Sequence, residues 1–132
     1  MVSADSNVVL RLLVRDDEEQ YRIARSFLRS ADGVFVSHVV LAQVVSTLIA
    51  AYGFPQPRVV TAVERLLDTD GVMIQDPEVV KTALQDYARS KADFGDCLIL
   101  AIAGKQGALP LATFDVALSK LPGTRQLSKK GS

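Results

Sequence analysis

The sequence predicts an α/β domain in which a mainly parallel sheet carries helices on both faces. Short apolar runs alternate with longer runs whose apolar residues recur at helical spacing. Helical runs also separate consecutive strand candidates, as parallel pairing requires. With 132 residues, 48% of them hydrophobic, the chain is long enough for one core and too short for two comfortable ones. We therefore expect a single domain over residues 1–127, followed by a polar tail over 128–132.

The first predicted elements are a strand and two helices. The segment "VSA" (2–4) is a short apolar run typical of a strand, and "NVVLRLLV" (7–14) has helical spacing. The segment "DEEQYRIARSFLRS" (17–30) opens acidic and ends basic, which the helix dipole favours. Its inward side chains are predicted to be Tyr21, Ala24, Phe27 and Leu28.

A second strand and two more helices are predicted next. The strand is "GVFVS" (33–37), and Ser37 is the predicted N-cap of an apolar helix that runs to Ala50. One long amide, Gln43, interrupts the apolar character of this helix. Glycine and proline after residue 52 end the helix and begin another, whose apolar stripe consists of Val59, Val63, Leu66 and Leu67.

The last elements complete a sheet of four strands and a weak fifth. The third strand is "GVMIQ" (71–75), and Asp76 before Pro77 is a matched start signal for a helix over 76–90. A helix, a strand, a helical turn and a weak edge strand follow at 94–107, 108–113, 114–120 and 124–128.

Composition excludes several classes of protein. Fifteen basic and fifteen acidic residues cancel, so any nucleic-acid contact must come from a local patch. A single cysteine, Cys97, excludes an internal disulfide framework and a cysteine-based zinc cluster, and is predicted to be a core side chain. No segment reaches membrane-spanning length, so we expect a cytoplasmic protein without membrane contact.

Four acidic residues lie where strands end or where the last long helix begins. They are Asp5 after the first strand, Asp115 after the fourth, and Asp93 and Asp96 at the helix that leads into the fourth. Ligand sites of parallel sheets lie beyond the carboxyl ends of the strands. Converging carboxylates repel each other unless a cation lies between them, and Mg²⁺ prefers such oxygen ligands. This pattern indicates a metal site that acts on phosphodiesters.

Each acid also has a purely structural interpretation. Asp5 is a possible turn residue, Asp93 is a good N-cap, and Asp115 can cap the short turn that follows it. Asp96 falls in a first helical turn, where acids are favoured electrostatically. The joint placement of the four acids is therefore a stronger signal for a metal site than any one of them alone. Glycine-rich phosphate-binding loops are absent, because the first predicted turn contains no glycine.

Four segments in order resemble the motifs of the PIN-domain ribonucleases and, within them, of the VapC-type toxins of bacterial toxin–antitoxin pairs. They are "ADSNVVLRLLVRDDEEQ", "VFVSHVVLAQVVSTL", "KADFGDCLILAIA" and "PLATFD". The resemblance implies a three-layer α/β/α sandwich, usually dimeric, that cleaves RNA with Mg²⁺ or Mn²⁺. It also implies a small antitoxin protein as partner.

The resemblance also implies roles for individual residues. Asp5, Asp96 and Asp115 would bind the metal, and Asp93 would be an auxiliary acid. Asn7 would orient the site by hydrogen bonds, with Thr113 close to Asp115.

The sequence departs from the resembled family at one acid. The second motif there carries Leu-Ala-Glu, whereas this chain has Leu41, Ala42 and Gln43. An amide keeps a carbonyl oxygen but cannot accept a proton as a carboxylate does. We therefore expect impaired nuclease activity, and a non-catalytic module that binds antitoxin or RNA is the alternative.

A few other residues are candidates of lesser weight. His38 is predicted to be an exposed residue at a helix start. Arg11, Arg15, Arg89 and Lys91 are predicted to form a local patch that contacts RNA phosphates beside the acids, because RNA affinity requires local cations. A solvated surface face is the alternative for each of them individually.

Overall fold

The computed structural model describes residues 1–128, so the predicted polar tail lies outside the described residues except for Ser128. The chain divides into two compact units, Met1–Gln75 and the residues from Asp76 onward. The single domain expected over residues 1–127 stays a prediction. Within residues 1–128, no helix has the length and apolar content that crossing a membrane requires.

The first unit consists of a parallel three-stranded sheet and four helices. The strands β1 (Val2–Ser3), β2 (Val34–Val36) and β3 (Val72–Ile74) lie in that order in the sheet. Val34 of β2 is in register with Val2 on one side and Val72 on the other. The helices are α1 (Ser6–Leu13), α2 (Glu18–Ser30), α3 (His38–Ala50) and α4 (Gln56–Leu67).

The second unit begins with two packed helices and ends with a parallel pair of strands. The helices are α5 (Pro77–Ala88) and α6 (Phe94–Lys105), and the strands are β4 (Leu111–Thr113) and β5 (Thr124–Gln126). A 3₁₀ turn at Leu118–Lys120 lies between the strands. The predicted α/β class with parallel strands is thus confirmed. The described strands form hydrogen-bonded groups of three and two.

Helix starts follow the predicted caps, with one exception. Ser37 Oγ accepts from the backbone N–H of Val40 at 3.1 Å, and Asp93 Oδ1 accepts from that of Asp96 at 2.8 Å. Asp76 precedes α5 as predicted, but its side chain makes no capping hydrogen bond. Its backbone is left-handed at φ 38°, and its carboxylate pairs with Lys105 Nζ at 2.7 Å. An N-cap residue normally has extended backbone, so the left-handed backbone of Asp76 accounts for the missing capping bond.

Burial on two helices differs from the prediction at particular positions. On α2, Ala24 and Leu28 are buried, whereas Phe27 is 36% exposed and its predicted inward position is wrong. On α3, a stripe formed by Leu41, Val44, Val45 and Leu48 is buried. The opposite face of α3, which carries Val39 and Gln43, is exposed. The Gln43 amide therefore needs no buried hydrogen-bond partner.

The core of the second unit lies between α5 and α6. The ring of Phe94, at the start of α6, meets the ring of Tyr87 edge to face, with centroids 5.8 Å apart. Cys97 is fully buried, which confirms that it is a core side chain. Burial raises the pKa of its thiol to about 11. The residues around Cys97 therefore keep it protonated at neutral pH.

Candidate functional site

The first candidate acid, Asp5, stands directly between β1 and α1. The strand pairing ends with the backbone N–H of Ala4, which donates to Phe35 O at 3.2 Å. Asp5 is the N-cap of α1, and its Oδ1 accepts from the backbone N–H of Val8 at 3.2 Å. The side chain is exposed, as is that of Asn7 in the first turn. Asp5 is therefore a helix cap at the end of a strand, with its carboxylate facing solvent.

Gln43 lies in the second turn of α3 with its side chain exposed. Its backbone carbonyl accepts a hydrogen bond from Thr47 Oγ1 at 2.9 Å, one turn further on. The buried stripe of α3 does not include it. A charged side chain would therefore be tolerated at this position without a desolvation penalty.

Two of the acids in the second unit have positions set by local hydrogen bonds. Asp93 caps α6 as described above. Asp115 follows β4, where its backbone N–H donates to Thr113 Oγ1 at 2.9 Å. Its Oδ1 accepts from the backbone N–H of Leu118, the first residue of the 3₁₀ turn, at 2.7 Å. The structural interpretation of Asp93 as an N-cap is thus correct, and Asp115 makes a local hydrogen bond to the turn that follows it. One oxygen of each carboxylate makes this bond.

Asp96 lies close enough to Asp93 and Asp115 for their charges to affect its pKa. It is half-buried in the first turn of α6. Burial raises the pKa of its carboxyl group, and the negative charges of Asp93 and Asp115 raise it further, together with a hydrogen bond to Asp93. The negative charges of Asp93 and Asp115 therefore both act on Asp96 within the second unit. Carboxylate oxygens are the ligands that a divalent cation prefers, and such a cation would offset this repulsion.

This arrangement does not by itself show a binding site for a metal ion. Among residues 1–128, no three or more His, Cys, Asp or Glu side chains stand together in a ready-made metal cage. Metal binding by Asp5, Asp96 and Asp115 accordingly stays a prediction.

We expect substitutions of Asp93 to separate its capping role from any chemical role. Asp93→Ala should lower the free energy of unfolding by about 1 kcal/mol, because the first turn of α6 loses its cap. Asp93→Asn should leave stability nearly unchanged, since asparagine caps equally well. Urea denaturation of both variants measures this difference. Equal stability of Asp93→Ala and the parent chain would contradict the capping role.

His38 differs from its prediction as an exposed residue. Its ring is half-buried, and Nε2 lies 2.7 Å from Gln75 O. A carbonyl only accepts, so Nε2 carries the proton in this contact. The backbone N–H of His38 donates to Gln75 Oε1 at 2.9 Å. The two contacts join the start of α3 to the end of β3, which explains the histidine without a catalytic role.

The predicted RNA-contacting arginines have local partners. Arg11 donates to Asp16 Oδ1 and to Tyr52 Oη, both at 2.7 Å, and the Tyr52 hydrogen bond raises its pKa further. Arg15 pairs with Glu18 at 2.9 Å and lies 4.0 Å from the centre of the Tyr21 ring. Their contact with RNA stays a prediction, as does that of the exposed Lys91.

Sequence interpretation missed two residues beside Asp115. Phe114 is 72% exposed, and Lys120 lines a cavity that also contains Lys91. The only signal in the sequence was an aromatic residue directly before an acid at a strand end. Such a position carries no packing pattern that distinguishes an inward ring from an outward one.

Comparison with known proteins places most of the chain in one family. A family model described as the PIN domain matches residues 3–123. The search of curated proteins finds no significant match. A solved structure that resembles the chain is the Mycobacterium tuberculosis toxin VapC20, described as cleaving the sarcin–ricin loop. It is 17% identical with a TM-score of 0.44, over 94% of this chain and 97% of that one.

Proposed function

Because this chain belongs to the PIN domain family, we propose that it is a metal-dependent endoribonuclease toxin of a toxin–antitoxin pair. It hydrolyses RNA phosphodiesters in the cytoplasm, with Mg²⁺ or Mn²⁺ as cofactor. Membership in the family supports nuclease activity in general. The observation that carries the proposal is the position of Asp93 and Asp115 close to Asp96, where burial raises the pKa of Asp96 and the charges of the other two carboxylates raise it further. Such a concentration of negative charge is typical of functional sites.

In this proposal the metal is held by Asp5, Asp96 and Asp115. When bound, the cation offsets the charge of the acids and polarises the scissile phosphodiester. The residues of the chain position the acids. Asp93 holds the backbone of Asp96 by its cap, and Thr113 holds the backbone of Asp115. These two hydrogen bonds fix the carboxylates before substrate arrives, so little reorganisation is needed on binding.

The proposed activity is reduced because Gln43 is neutral. A carboxylate at this position would add one negative charge for the cation and a base for the proton of the attacking water. The amide oxygen can still accept a hydrogen bond from that water. It cannot take the proton, so proton transfer falls to bulk water or to another carboxylate.

The proposed partners are a small antitoxin, RNA and a second copy of the chain. A groove of about 570 Å³ in the first unit supports antitoxin binding, since Asp5 and Asn7 lie at it together with Ile23 and Phe27. Ile23 is 61% exposed, and an amphipathic peptide would cover it. Contact between copies of the chain is proposed because the resembled family is usually dimeric. Arg11, Arg15 and Lys91 are proposed to contact RNA.

The test of this function is RNA cleavage by the full chain, purified free of antitoxin. Structured RNAs are incubated with Mg²⁺ or Mn²⁺, and with EDTA as the metal-free control. We expect slow cleavage by the parent chain and none by Asp5→Asn. Asparagine caps α1 as well as aspartate does, so this substitution leaves the helix start intact.

Asp70→Asn is the matched control, because Asp70 is an exposed acid in a turn of the same unit. It should cut RNA at the parent rate. Cleavage that continues in EDTA, or that survives in Asp5→Asn, would contradict the proposed site.

The second candidate function is a binding module that no longer cuts. The neutral side chain at Gln43 favours it, because the resembled family has a carboxylate there. In that case the parent chain binds RNA or antitoxin without turnover, and cleavage appears only when the carboxylate is restored.

A further inference from the structure

The second unit contains a cavity of about 670 Å³ whose walls carry three basic side chains. Arg89 and Lys91 come from the segment between α5 and α6, and Lys120 comes from the 3₁₀ turn. The chain as a whole has no net charge. Three cations at one cavity are therefore a local positive patch on a neutral molecule, of the kind that binds phosphate groups.

The two lysines are available to an anionic ligand. Neither Lys91 nor Lys120 makes an ion pair with any of residues 1–128, and both side chains are exposed. Arg89 pairs with Asp86 at 2.7 Å, but its side chain is 62% exposed. Part of its guanidinium can therefore face a ligand while the ion pair persists.

Residues that line the cavity are close in sequence to two of the candidate acids. Asp93 follows Lys91 by two residues, and Asp115 directly precedes Val116, which lines the cavity. A strand of nucleic acid held in the cavity would therefore run next to the proposed metal site.

An exposed aromatic residue, Phe114, precedes the lining residue Val116 by two positions. Phe114 is 72% exposed directly before Asp115, and Val116 directly after it is 60% exposed. A large apolar ring that faces solvent between a strand end and a 3₁₀ turn contributes little to folding. An unpaired nucleobase can stack on such a ring, whatever its sequence.

We propose that this cavity binds the backbone of single-stranded RNA through Lys91 and Lys120, aided by Arg89, and that Phe114 stacks one base of the bound strand. The proposal rests on the proposed function for its substrate class. Binding and cleavage are nevertheless separable, because the cavity residues bind without the metal. The substrate read at this surface is unpaired RNA, since a base within a duplex has no free face for the ring.

The test is RNA binding by the full chain in EDTA, followed by fluorescence anisotropy over a range of salt concentrations. The probe is a labelled single-stranded RNA roughly 12 nucleotides long, compared with a duplex of equal length. Lys91→Ala/Lys120→Ala should weaken binding and lower the slope of log affinity against log salt by about 1.4, or 0.7 per lost contact. The control is Lys81→Ala, an exposed lysine of α5 paired with Glu78, which should leave both values unchanged.

Substitutions of Phe114 test the stacking. Phe114→Leu keeps apolar surface without a π face and should weaken single-strand binding by about 5- to 150-fold. Phe114→Tyr should restore it, and neither should change duplex binding. An unchanged salt slope in the double lysine variant would overturn the cavity as the binding site. Equal affinities of Phe114→Leu and the parent chain for the single strand would overturn the stacking.

The outcome separates this proposal from the proposed function. A parent chain that never cuts RNA, but whose binding depends on Lys91 and Lys120, supports the cavity and contradicts the nuclease. A parent chain that cuts RNA, with binding indifferent to both lysines, supports the nuclease and overturns the cavity.

Discussion

Gln43→Glu should raise the rate of RNA cleavage by about 10²- to 10⁴-fold, the usual contribution of a positioned acid–base group. The substitution adds the carboxylate that the resembled PIN-domain ribonucleases carry at this position. It should also strengthen Mg²⁺ binding, because the site gains one negative charge. The fold should tolerate it, since Gln43 is exposed on α3 and the two residues have similar helix propensities.

The measurement is the single-turnover cleavage rate of a structured RNA at saturating Mg²⁺ or Mn²⁺. Ser46→Glu is the matched control, because it adds the same charge at an exposed position of the same helix. It should cut at the parent rate. Adding Asp5→Asn to Gln43→Glu should remove the gain. An equal gain from Ser46→Glu, or no gain from Gln43→Glu, would show that position 43 is not part of the site.

Phe94→Ala should lower the free energy of unfolding by about 3–5 kcal/mol, a large part of the 5–15 kcal/mol typical of a domain. The ring is 1% exposed, and it meets Tyr87 edge to face. Alanine would leave a cavity between α5 and α6 and remove the aromatic pair. Phe94 also lies between Asp93 and Asp96 in sequence, so its loss should loosen the carboxylates as well.

Urea denaturation followed by circular dichroism measures this effect. Phe94→Leu should cost less than Phe94→Ala, because leucine fills most of the space. Phe114→Ala, which removes an exposed ring of the same unit, should change stability by no more than about 0.5 kcal/mol. Similar losses from Phe94→Ala and Phe114→Ala would mean that Phe94 is not a core residue.

Much of the fold follows from interactions over three or four residues, and these are readable along the chain. Ser37 and Asp93 cap their helices as predicted, because a cap needs only its own side chain and a nearby N–H. The helix and strand positions agree for the same reason, with differences of a few residues at their ends. The α/β class follows from the order of these elements.

The sequence predicted which residue types form the candidate site better than it predicted their burial. The acids at strand and helix ends were visible as a pattern, and Asp115 is one of them. The burial that contributes most to the raised pKa of Asp96 was not, because it depends on packing within the second unit. Lys91 was predicted to contact phosphate, but its position at one cavity with Lys120 was missed, since the two are 29 positions apart and no local pattern links them.

The sequence by itself determined the order of the elements, their caps and the set of acids available for chemistry. Only the tertiary structure decided which polar groups meet across the chain. His38 contacts Gln75 from 37 residues away, and Arg11 contacts Tyr52 from 41. The carboxylate of Asp76 accepts a hydrogen bond from Lys105, 29 residues away, and does not cap the helix that Asp76 precedes. Such pairs depend on how the chain is folded back, because hydrogen bonds and ion pairs are made by proximity in space.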